Sequence, residues 1–267
     1  MPPRAAHASE VVHAVGTRRR RHGEGGGSGH TVRMWVQDFA GPRGQRPDPR
    51  VWTHDLGGGG WGDRQRQVYT DDPANAALDG AGHLAITARR EADGTITSAR
   101  LTTRHGFATT YGRIEARIKV PGGRGTWPAF WMLGTDIDEV GWPACGEIDV
   151  MEHVGADPAR SHGTVHGRGY SGLAGGVGAG IDAGADLSEE FHDYAVVWDE
   201  SAITWLLDDR EHHRVGRSDV PGPWPFDHAF FLLLNLAIGG DWPGHDTDDP
   251  ELPAVLLVDR IRVEALR

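Results

Sequence analysis

The chain has 267 residues, including 39 Gly, 16 Pro and 10 Trp, and carries a net charge of −11. That length suits one large all-β domain or two small ones, and the turn-forming content argues against an assembly of long helices. The acidic balance argues against nucleic acid as a partner. No apolar run is long enough to span a membrane, and the single cysteine, Cys145, excludes an intrachain disulfide and a cysteine-based zinc site.

Residues 1–30 are rich in Ala, Arg, His and Gly and include the run Arg18 to Arg21. They contain no apolar segment of the kind a signal peptide needs, and they read as a disordered tail. From residue 31 to residue 267 the chain reads as one domain. TVRMWVQDF forms a first strand, and Val51 to Leu56 a short one before the flexible turn Gly57 to Gly60. WGDRQRQVYT, HLAITARR, TITSARLTT, YGRIEARIKV and GTWPAFWMLG follow. Each alternates in character and ends at turn residues, the spacing of a β-sandwich or barrel. After the acidic stretch described below come HGTVHG, FHDYAVVWD, AITWLLDD, AFFLLLNLAIGG and AVLLVDRIRVEAL. No segment of helical period has a convincing length, so a sandwich of two antiparallel sheets is expected. Two loops stand out. Residues 167–186 are Gly-rich, either a lip over a groove or an insertion, and residues 239–250 set Trp242 among glycines and acids.

The stretch CGEIDVMEHVG places Glu147, Asp149 and Glu152 among apolar residues. Glu147 and Asp149 are two apart and share one face of a strand. Glu152 lies at an odd offset from Glu147 and points the other way unless one extra residue bulges out after Asp149. Three carboxylates would then line one face, and their burial in a dry core would be very costly, so a solvated groove is expected. The plainer reading is a charged, solvent-facing strand that discourages aggregation. A carboxyl pair about 5–5.5 Å apart cleaves a glycosidic bond with retention, and a third acid between them raises its neighbours' pKa by like-charge repulsion. Trp127, Trp131, Trp142 and Trp242 surround this stretch. Indole faces suit the apolar faces of pyranose rings. His166 offers a bond to a carboxylate or a sugar hydroxyl, whereas His162 has no assigned role. A divalent ion on Glu147, Asp149, Glu152 and a histidine is a competing reading, but candidate ligands along one strand enclose an ion poorly. No G-x-S-x-G occurs for a serine triad.

GTWPAFWMLG followed by GWPACGEIDVMEHVG resembles glycoside hydrolase family 16, in its bacterial laminarinase-like endo-β-1,3-glucanase branch. The resemblance runs from about residue 33 to residue 266 and takes in YGRIEARIKVP, GTVHG, FFLLLNLAIGGDWPG and VDRIRV. It implies a β-jelly-roll sandwich with an open concave cleft and a retaining mechanism. Glu147 would be the nucleophile, Glu152 the acid/base and Asp149 the assisting acid. Trp127, Trp131, His166 and Trp242 match cleft-lining positions, as does Arg100 more loosely. No catalytic cofactor is implied. A structural calcium is, with Asp259 as ligand and Asp38 and Gly80 as further donors. The implied partner is a β-glucan polysaccharide, acted on by a monomer. The family is usually exported, and no signal peptide is recognisable here. Asp63 and Gln65 stand where the family has Asn and Glu, which bears on the sugar preferred. Other readings are a related β-glucanase, an agarose- or carrageenan-cleaving enzyme, a transglycosylase, or a glucan-binding protein without catalysis.

Overall fold

Alternation along the strands sets the architecture. Gly112–Lys119 buries every second residue, as does Leu84–Arg90 through most of its length. This is the pattern of strands with one face on a core and one toward solvent. Phe230–Ile238 is buried throughout, because it lies inside a sheet that is covered on both faces. The structure is a computed structural model that describes residues 34–244 and 250–266. The tail expected over residues 1–30 lies outside the described residues. Among those described, no helix is long and apolar enough to cross a membrane.

The strands form two sheets. The larger runs in the order Arg210–Gly216, Ala202–Leu207, His192–Trp198, Gly112–Lys119, Ala254–Glu264, Leu84–Arg90, Ile96–Ser98, Val68–Tyr69. The smaller runs Val177–Asp182, Arg160–His166, Glu147–His153, Thr126–Gly134, Phe230–Ile238, Arg100–Thr102, Thr53–Asp55. Pairing is antiparallel except between Val68–Tyr69 and Ile96–Ser98. Ile114 and Ile118 of the larger sheet share one core with Phe130, Met132, Leu232 and Leu234 of the smaller. Each such side chain contributes about 1.5–3 kcal/mol relative to exposure, so the sandwich holds without disulfides. A second cluster, Leu133, Cys145, Phe231 and Leu233, lies on the other face of the smaller sheet, beside Ile137 of the one-turn helix Ile137–Val140. Cys145 is a buried packing residue.

TITSARLTT departs from the single expected strand. It breaks at Ala99, with Ile96–Ser98 in the larger sheet and Arg100–Thr102 in the smaller. The Gly-rich stretch 167–186 contains the strand Val177–Asp182, which ends the smaller sheet.

The expected bulge is present. Asp149 pairs with Thr164 and Glu152 with His162, so the acidic strand spends one residue more than its neighbour over that interval. The same shift appears against the other neighbour, where Trp131 pairs with Asp149 and Phe130 with Met151. Ile148, Val150 and Met151 join the core. The bulge is held from the interior by Trp205 of the opposite sheet, whose Nε1–H donates to the Asp149 carbonyl at 2.7 Å. Gly163 makes room for this indole, since a Cβ there would stand 2.1 Å from Trp205 Cδ1. Trp205→Phe leaves a buried carbonyl without its donor, a loss of about 1–3 kcal/mol. The expected outcome is a lower urea midpoint at an unchanged m-value. An unchanged midpoint would show that the bulge does not depend on Trp205.

Candidate active site

The bulge leaves Glu147 and Glu152 lining one groove of about 370 Å³, with Asp63, Trp127, Trp142, His162, Thr164, His166 and Trp242 among the other walls. Asp149 lies between the two glutamates in sequence and is nearly closed off, its side chain 4% exposed against 16% for Glu147. Each glutamate receives one indole N–H. Trp142 Nε1 donates to Glu147 Oε2 at 2.6 Å, and Trp127 Nε1 to Glu152 Oε1 at 3.0 Å. His166 Nε2 lies 3.1 Å from Asp149 Oδ2 and 3.8 Å from Glu147 Oε1. The closer contact is electrostatic rather than a hydrogen bond, because Asp149 Oδ2 has no donor aligned on it.

Burial dominates the electrostatics. It pushes Glu147 up to about 8, with the Asp149 charge adding to the shift and His166, Trp142 and Arg100 opposing it. Burial also raises Asp149, while a hydrogen bond with Glu147 opposes the rise. Glu152 is held well above the ordinary carboxylate range, again first by burial and then by the Asp149 charge. The groove therefore retains protons at neutral pH, and Glu152 is well suited to keep one. Asp63, across the groove, is raised by burial and by Asp241.

Trp127 and Trp131 lie four residues apart on Thr126–Gly134, the strand beside the acidic one. Trp242 meets Trp127 edge to face, with ring centroids 5.6 Å apart. Trp131, on the neighbouring strand, donates its N–H to Asn235 Oδ1 at 2.8 Å. The Arg100 guanidinium lies 4.6 Å from the Trp131 ring and 4.8 Å from that of Trp61, and pairs with Asp55 at 2.9 Å. Arg100 and Trp131 thus sit together. Trp61, Asn235 and Thr164 were not singled out in the sequence. Nor was His162, although it is four residues from His166 on one strand and so shares its face. That parity was the available signal.

The calcium donors do not gather in the same way. Asp259 sits where the register slips between Val258 and Arg260. Its carboxylate is met by Arg260 Nη1 at 2.7 Å and Arg117 Nε at 3.7 Å. The same two arginines also pair with Asp193. Asp38 stands level with Arg260 on the adjoining strand, and Gly80 packs on Arg43. Two guanidiniums shared between Asp193 and Asp259 thus meet the Asp259 carboxylate. Among the described residues, ligand atoms of three acidic or histidine side chains converge at Glu147, Asp149 and His166, within 4.8 Å. All three come from one sheet face.

Residues 62–251 match the family "Glycosyl hydrolases family 16". A beta-glucanase of Rhodothermus marinus is 44% identical over 246 residues, covering 88% of this chain and 85% of that protein. A glucan endo-1,3-beta-glucosidase of Cryptopygus antarcticus is 37% identical over 83% of this chain and 86% of its own length. The solved laminarinase catalytic domain of Thermotoga maritima superposes with a TM-score of 0.81 at 40% identity, covering 89% of this chain and all of that one. The chain belongs to glycosyl hydrolase family 16, and its two-sheet sandwich is the family's jelly roll.

Below about pH 4 the Glu147 carboxyl is protonated in both folded and unfolded chains. Between there and about 8 only the folded chain keeps the proton, so stability falls as the pH rises. Glu147→Gln removes this loss. Its melting temperature is expected to exceed that of the wild type at pH 8 and to match it at pH 4; equal values at both would refute the buried-charge account. At Asp259, a chelator is expected to leave the melting temperature unchanged. A fall that added calcium reverses would establish a divalent site there.

Proposed function

We propose that this chain is an endo-β-1,3-glucanase that hydrolyses internal bonds of laminarin-type glucans with retention. The observation that carries the reading is the bulged strand, on which Glu147 and Glu152 face one groove and each takes an indole N–H. The laminarinase and glucan endo-1,3-beta-glucosidase relatives support the linkage. In the first step Glu147, having passed its proton to Asp149 or to solvent, attacks as the carboxylate, and one of its oxygens bonds to the anomeric carbon. The glycosidic C–O bond breaks, and Glu152 gives its proton to the departing oxygen. In the second, Glu152, now ionised, takes a proton from water. The water oxygen bonds to the anomeric carbon and the Glu147 ester bond breaks. Asp149 lies against Glu147 and helps set how the protons are shared. Both proton transfers and the attack are accounted for by carboxyl groups, so the scheme requires no cofactor.

Cleavage within a chain is supported by side chains on both flanks of the acidic strand. The Arg100, Trp61 and Trp131 stack lies to one side. Thr164 and the edge strand Val177–Asp182 lie to the other. A sugar chain crossing the sheet therefore has contacts before and after the point of attack. Among the described residues that line the groove there is no Lys or Arg, so a sulfate would meet no cation there, which disfavours sulfated galactans relative to neutral glucans.

The test has two parts. Nuclear magnetic resonance of products released from laminarin should show the β-anomer first, before mutarotation, and α-anomer first would refute retention. Glu147→Gln should lose nearly all hydrolysis while still binding laminarin. If the wild type releases no reducing sugar from laminarin, curdlan or lichenan, the enzyme reading fails in favour of a binding protein.

A further inference from the structure

His162 has no part in the two-step scheme, yet it occupies a defined place beside the acid. Its Cα is paired directly across the ladder with that of Glu152. Its ring meets Trp242 edge to face, with centroids 4.8 Å apart. Trp242 meets Trp127 in the same manner at 5.6 Å, and Trp127 Nε1 donates to Glu152 Oε1 at 3.0 Å. The four side chains and the strand ladder close a ring that starts and ends at Glu152. On the outer side the His162 ring lies over Gly180 of the edge strand, where an added Cβ would approach its Cε1 and Nδ1 to 3.0 Å. A glycine there gives the imidazole its seat.

We propose that His162 is a positioning residue that orients the Glu152 carboxyl through Trp242 and Trp127. The inference rests on the reading of Glu152 as the acid/base. Trp242 belongs to the turn after the strand Phe230–Ile238 rather than to a strand, so its indole lacks a ladder of its own to fix it. His162 is on a strand paired on both edges, with Glu147–His153 and Val177–Asp182, and supplies that fixed point. Edge-to-face contacts are directional, because the positive edge of one ring seeks the negative face of the next. Holding Trp127 in place commits one Glu152 oxygen to the indole N–H and leaves the other free to carry the transferable proton. Misplacing a general acid by a fraction of an ångström lowers the rate without weakening substrate binding.

The experiment compares leaving groups. Laminarin releases a sugar alkoxide, which needs a proton from Glu152; 2,4-dinitrophenyl β-laminaribioside releases a phenolate, which does not. His162→Ala is expected to lower kcat on laminarin roughly 10-fold, a fraction of the 10²–10⁴ that a general acid supplies, with KM little changed. First-turnover release of dinitrophenolate should stay at the wild-type rate. His162→Phe retains an aromatic edge without ring nitrogens and should restore most of the laminarin kcat. If the Ala variant does not fold, His162→Leu is read in the same way, since it fills the volume without an aromatic ring. Equal losses on both substrates, an effect on KM alone, no effect, or failure of the Phe variant to restore the rate would each overturn the proposal. Glu152→Gln is the control. If it lacks the same dependence on leaving group, the assignment of Glu152 as acid falls, and the role of His162 with it. If Glu152→Gln shows it and His162→Ala does not, the role of His162 alone is lost.

Discussion

One surplus residue in the acidic strand governs the rest of the site. A regular strand would turn Glu152 away from Glu147 and bury its charge, a conformation costing several kcal/mol without a partner. The bulge after Asp149 restores the common face, and the Trp205 N–H satisfies the Asp149 carbonyl from the interior. The device works because it spans both layers. An indole from the larger sheet passes between core side chains to a backbone atom of the smaller, and Gly163 leaves it room. Packing of the sandwich and alignment of the carboxyls are therefore one constraint.

That alignment sets local stability against chemistry. Three carboxyls share a nearly closed site, and burial raises all of them. Elsewhere the protein treats acids differently. Asp193 and Asp259 on the larger sheet are met by Arg117 and Arg260, which neutralise them. In the groove each glutamate instead takes a neutral indole N–H. A neutral donor fixes the direction of a carboxyl without locking its charge, whereas a guanidinium would hold it ionised. A group that must give up a proton and take it back is better served by the former.

Much of the fold was legible because alternation survives wherever one face of a strand is buried. GRIEARIK and LAITARR read directly as strands. Val177–Asp182 did not, because its glycines carry no side chains to alternate and their composition suggests a loop. The break at Ala99 was equally hidden. Both halves of TITSARLTT have strand character, and only the separation of the sheets assigns them to different layers. The site was legible in its acids, since the odd offset of Glu152 from Glu147 demanded a bulge. It was less so in its supports, because Trp205 lies 56 residues from Asp149 and His162 lies 10 from Glu152 by sequence number.

The sequence by itself determined the periodicity of the main strands, the need for a bulge after Asp149, and the family to which the acidic motif belongs. These depend on residue type and spacing along a single segment. Tertiary structure decided which indole meets which carboxyl, that Arg117 and Arg260 meet Asp259, and that His162 stands across from Glu152. Those outcomes depend on the registers between strands and on which groups are shielded together from water. Neither quantity exists until the two sheets have closed over a common core.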